Sequence, residues 1–163
     1  MPVDERISLV TVQRELKECQ EDCKRYHWEI SNIDEQNQTF IVKMKSPIDN
    51  EQYIIEIKFD NYNEWPPYIE FIEPTTGKHG TKKSYPLSKG GDYGSFFHPQ
   101  HPSICHPCSR KAYQGYTGLH ADWNITGWQQ NKDTGTLTNI RAILLAIYGR
   151  ISNRKTYGGR MCE

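Results

Sequence analysis

The sequence predicts an α+β domain in which helices at the two ends pack on a four-stranded antiparallel meander. Two observations lead there. Apolar residues recur at helical spacing near both ends of the chain and at a period of two between them. The connectors between the period-two runs are short, as antiparallel neighbours need and crossover connections do not allow. A chain of 163 residues, 36% hydrophobic and 12% aromatic, is large and apolar enough for one buried core.

The first helix is read from Leu9, Val12, Leu16, Cys19, Cys23 and Tyr26, which fall on one face with charges between them. Cys19 and Cys23 stand four apart, a spacing that suits either a metal or small buried residues in the core. Alternation then sets in at Trp28 and Ile30. It continues through Phe40, Val42 and Met44, then through Tyr53, Ile55, Ile57 and Phe59. The turn-rich stretches "DEQNQ" and "SPIDN" separate these runs, and "YIEFI" after Pro66 and Pro67 makes a fourth. From Glu73 to Gly135 regular patterning stops, and a loop of that length in a compact domain points to function. The last helix is expected from about Thr136, capped by Thr136 or Thr138, with Leu137, Ile140, Leu144, Ile147 and Ile151 as its stripe. Residues 1–152 then form one domain, and 153–163 a flexible polar tail, the better reading of Gly158 and Gly159 since the rest of the chain is unlike a modifier with a processed Gly-Gly end.

Twenty basic residues balance twenty acidic ones and no basic run occurs, which argues against nucleic acid as a partner. No apolar run approaches the roughly twenty residues of a membrane span. "MPVDERISLV" lacks a basic-then-apolar leader, so the expected location is cytoplasmic. Five cysteines, an odd number, read there as thiols rather than disulfides.

Chemistry concentrates in "HPQHPSICHPCSRKAY", residues 98–113. His98, His101, Cys105 and Cys108 follow one another at intervals of three, four and three. Three readings compete. The four residues can form a zinc set, although zinc ligand pairs usually flank a longer loop. Cys105 and Cys108 can form a redox pair, although such a pair usually opens a helix after a parallel strand. Cys105 can act alone as a nucleophile, its thiolate favoured by His98, His101, His106, Arg110 and Lys111 nearby in sequence and its exposure fixed by the prolines. Downstream, His120 and Asp122 in "LHADW" are placed either to orient and deprotonate an attacking amine or to satisfy loop backbone. Trp123 and Trp128 read as packing residues for this loop.

The order of motifs resembles that of ubiquitin-conjugating (E2) enzymes. "YNEWPPYIEF" matches the family signature at Tyr62, Pro66, Pro67 and Phe71, with Asn63 where the family has its first proline. "FHPQ" resembles the His-Pro-Asn motif with Gln100 in the asparagine place, and "SIC" resembles the segment that carries the catalytic cysteine. A tryptophan and a "TLTNIRAILLAI" helix follow, as in that family. Motif and cysteine lie closer together than in typical members, inserted loops separate the tryptophan and last helix, and two C-terminal helices are missing. The resemblance therefore implies a divergent member of a bacterial ubiquitin-like conjugation operon, a class often linked to antiviral defence. It further implies the ubiquitin-conjugating fold and an enzyme that takes a ubiquitin-like modifier as a thioester on Cys105. An E1-like activating enzyme would supply the modifier and a target protein would receive it, with no cofactor of the chain's own. By the same resemblance Gln100 steadies the oxyanion, a task a histidine can also perform. A non-catalytic binding module of the same fold and a zinc-stabilised interaction domain are the alternatives.

Overall fold

The computed structural model describes residues 2–89, 96–116 and 120–162. Helix α1 (Glu5–Glu18) starts at Asp4, whose carboxylate accepts the Arg6 N–H at 2.8 Å. The apolar face expected to run as one helix is broken at Cys19, after which α2 (Gln20–Tyr26) continues and ends at His27 in the left-handed conformation. Cys19 is buried and Cys23 partly so, both against the core.

Strands β1 (Glu29–Ile30), β2 (Thr39–Lys45), β3 (Gln52–Lys58) and β4 (Tyr68–Ile72) pair antiparallel in chain order, the meander the alternation predicts. Register places Phe40 opposite Ile57, Val42 opposite Ile55 and Met44 opposite Tyr53, and carries the same face onto Phe71 and Ile69. All eight side chains are buried, and the intervening residues face outward. Helix α3 (Ile140–Ser152) packs on α1. Its stripe Ile140, Ile143, Leu144, Ile147 and Ile151 joins the core under that sheet face. The helix begins later than the sequence suggests. Its cap is Asn139, which accepts the Ala142 N–H at 2.9 Å, rather than Thr136 or Thr138. Among the described residues no helix is long and apolar enough to cross a membrane.

Two departures concern the irregular regions. The long loop contains short 3₁₀ turns at Lys82–Ser84, Arg110–Ala112 and Trp128–Gln130, and a strand β5 (Pro86–Ser88). The expected flexible tail is not one. Residues Tyr157–Arg160 form β6, antiparallel to β5. Tyr157 is the reason: its hydroxyl meets Tyr53 Oη at 2.7 Å and Asp49 Oδ2 at 2.8 Å, and Arg160 bonds Glu51 and lies over the Tyr53 ring. Gly158 lies against Leu87, whose carbonyl oxygen would sit 3.3 Å from a Cβ there, so this glycine permits close strand pairing. Met1, Glu163 and residues 90–95 and 117–119 lie outside the described residues.

The buried carboxylate of Glu15 joins three parts of the fold. It accepts the Tyr62 hydroxyl at 2.6 Å and the Ile140 N–H at 2.7 Å. It thereby ties α1 to the segment before Pro66–Pro67 and to the first turn of α3. Burial raises the carboxyl pKa, and these two hydrogen bonds oppose the rise.

Candidate active site

The 96–105 segment is a tight antiparallel loop. Phe97 bridges to Ile104, the Cys105 N–H donates to the Phe96 carbonyl at 2.7 Å, and the His98 N–H donates to the Ser103 carbonyl at 2.9 Å. Phe96, Phe97 and Ile104 are buried and anchor its base. At its tip the His98 Nδ1 accepts the N–H groups of Gln100 and His101 at 3.1 and 3.0 Å. His98 thus holds the turn, and with Nδ1 so engaged its ring is kept neutral, while burial and the neighbouring His101 and His120 lower its pKa. Gln100 and His101 are exposed on the turn.

A second path fixes the opposite wall. Buried Arg110 donates from Nε to the Pro66 carbonyl at 3.0 Å, and from Nη1 and Nη2 to Asp60 Oδ1 and its carbonyl at 2.8 and 3.0 Å. The Arg110 N–H reaches the Pro67 carbonyl. Lys111 binds both Glu70 carboxylate oxygens at 2.9 Å and donates to the Pro102 carbonyl at 2.8 Å, three residues before Cys105. The di-proline segment, β4 and the cysteine loop are therefore clamped by two consecutive cations. At the next residue the Ala112 carbonyl accepts the His120 N–H at 3.1 Å, and Tyr113 bridges to His120. Trp128 closes the rear, donating Nε1–H to the Asn63 carbonyl at 2.9 Å.

These two walls bring the Cys105 Sγ to 2.8 Å from the His120 Nε2. The His120 ring stacks on Trp123 with centroids 3.6 Å apart and planes 2° from parallel. Trp123 in turn leans on Tyr113, whose hydroxyl donates to the Pro107 carbonyl at 2.7 Å. Burial pushes the Cys105 thiol up, and burial pulls the His120 imidazolium down, with Asp122 and Asp133 opposing the latter through their charge. Both shifts favour neutral partners, a thiol beside a neutral imidazole, and the tautomer with its proton on Nδ1 leaves Nε2 able to take the thiol proton. A cysteine in contact with an imidazole base is the arrangement that allows a thiol to attack an acyl carbon without first standing as a free thiolate.

The candidate residues sort accordingly. Cys105 and His120 meet. Asp122 is exposed and acts on His120 through space. The cationic environment expected to acidify Cys105 is not formed. Arg110 and Lys111 engage Asp60 and Glu70 instead, and the shift at Cys105 comes from burial. His106 faces inward, accepting the Cys108 N–H on Nδ1, and burial lowers its pKa to about 4. Cys108 is fully buried with its thiol pushed up, which leaves it unsuited to redox exchange. Among the described residues no group of three or more His, Cys, Asp or Glu converges to hold a metal. Sequence reading assigned Trp123 to packing, and its place behind the base depends on a contact that spacing does not reveal. No protein-family model matches this chain, and a search of curated proteins found no match.

Proposed function

We propose that this chain has a divergent ubiquitin-conjugating fold. We propose further that it carries a ubiquitin-like modifier as a thioester on Cys105, received from an E1-like enzyme and passed to a target. The observation that carries this reading is the half-buried Cys105 held against His120 on a loop clamped to the Pro66–Pro67 segment. Two other cysteines, Cys19 and Cys108, are buried. The motif order of the resemblance supports the same reading.

In loading, Sγ attacks the incoming thioester carbonyl as its proton passes to His120 Nε2. The intermediate then collapses, and the proton leaves with the departing thiol. The substrate is already activated, so positioning supplies much of the rate. Gln100 and His101 on the adjacent turn are the candidate oxyanion donors. ATP is consumed by the E1-like partner.

The test is a reaction with that E1-like enzyme, the modifier and ATP. A thiol-labile adduct is expected on the wild type and on Cys108→Ala. Cys105→Ser should lose it or trap a more stable oxyester. Absence of any adduct would favour a non-catalytic binding module.

A further inference from the structure

We infer that the acceptor served by this site is an aliphatic hydroxyl rather than a lysine amine, with His120 as the general base that takes the hydroxyl proton. The inference rests on the carrier reading and adds the acceptor class to it. Once Cys105 is acylated it has no proton to give, and the His120 Nε2, 2.8 Å from Sγ, is released from the thiol. An acceptor attacking the carbon bonded to Sγ must bring its reacting atom within hydrogen-bond reach of that nitrogen. A base at this point is what an alcohol needs. A hydroxyl does not ionise at neutral pH and must shed its proton as it attacks, whereas an amine that has lost its ammonium proton attacks a thioester unaided.

Two further observations favour the alcohol. The imidazole is held in one plane by Trp123 and by the backbone tie to Ala112, so the base is pre-aimed rather than free to rotate. The groups around it also suit a neutral entrant. His98 is close enough for the charge of His120 to lower its pKa, and bringing an ammonium beside these partly buried groups costs more than bringing a hydroxyl. The carboxylates that act on His120, Asp122 and Asp133, are both exposed and make their effect through space.

The step balances. The acceptor O–H gives its proton to Nε2 as oxygen bonds the acyl carbon, the C–S bond breaks, and the Cys105 thiolate takes the proton back from His120. The product is an ester and the resting thiol.

A short peptide α-thioester of mercaptoethanesulfonate loads Cys105 by thiol exchange, without any partner protein. After the excess is removed, the loaded chain is offered N-acetyl-serine amide, glycerol, N-acetyl-lysine amide and N-acetyl-cysteine amide, each with no free α-amine. Esters are expected on serine amide and glycerol ahead of the lysine amide, and the ratio between the two alcohols separates a protein hydroxyl from a polyol acceptor. His120→Gln should lower the ratio of serine transfer to cysteine exchange about 100-fold, the scale of general-base catalysis. In the wild type, serine transfer should level off with pH once His120 is unprotonated, while transfer to lysine keeps climbing toward the amine pKa. Faster transfer to lysine than to either alcohol, or an unchanged serine-to-cysteine ratio in His120→Gln, overturns the acceptor assignment and leaves the carrier standing. Failure of Cys105 to accept the acyl group at all overturns both.

Discussion

At the scale of single residues, the chain separates its cysteines by environment. Cys19 and Cys108 are buried with their thiols pushed up, Cys19 to about 12, and Cys105 stands against the His120 imidazole. Alkylation with iodoacetamide, read by peptide mass spectrometry, should therefore spare Cys19 and Cys108 until the protein unfolds. Cys105 should react slowly at pH 7 and faster as pH rises past the ordinary thiol value of about 8.5, because burial disfavours its thiolate. A rate plateau near pH 7 would instead indicate a preformed thiolate–imidazolium pair. The candidate nucleophile was chosen in the sequence from motif order and the loop prolines, which single out Cys105. The position of His120 was half legible, as "LHADW" named it without a partner. Its contact with Cys105 joins two residues fifteen positions apart, a pairing that no periodicity encodes. Sequence proximity misled for Arg110 and Lys111, because adjacent residues in a 3₁₀ turn point to different neighbours.

At the scale of elements, those two cations turn a loop into a wall. The Arg110 guanidinium is 2% exposed at the residue level and bonds the Pro66 carbonyl and Asp60 in a fixed fork. Arg110→Ala leaves these acceptors without their donor at a buried site and should cost about 3 kcal/mol in chemical denaturation. It should also slow acylation of Cys105 by the peptide thioester, since the backbone from Arg110 to Ala112 carries the His120 tie. A stability loss under about 0.5 kcal/mol, ordinary for a surface change, would show that the clamp does not hold the loop. The strands and helices themselves were legible from period alone. Three features were not: the break at Cys19, the Asn139 cap, and the β5–β6 pair. Tail strand β6 is short and glycine-rich, and it is fixed by Tyr157 and Arg160 reaching residues about a hundred positions away.

At the scale of the whole molecule, Glu15 couples the helical layer to the di-proline segment, and its protonation is linked to folding. Its folded pKa lies above the ordinary value of about 4.3 because burial outweighs its hydrogen bonds. The stability linked to this group is therefore fully present below the unfolded pKa and is lost as pH rises through the folded one. Relative to Glu15→Gln, which cannot titrate, the wild type should gain stability as pH is lowered from 7 toward 4.5, measured as the difference in denaturation midpoints. A difference that shrinks over that range would contradict the assignment. The α+β layering that makes this coupling was legible from alternation and helical stripes, but a glutamate inside the apolar face of α1 was not distinguishable from its exposed neighbours. The central claim, that Cys105 is the acyl carrier, is met most directly by locating the modifier. The adduct formed with the E1-like enzyme, modifier and ATP is digested under non-reducing, mildly acidic conditions, and the peptide spanning residues 98–110 is fragmented between Cys105 and Cys108. The account predicts the modifier's C-terminal remnant on Cys105, removable by thiol. A remnant on Cys108, on Cys162 or on a lysine, with Cys105 unmodified, would contradict it.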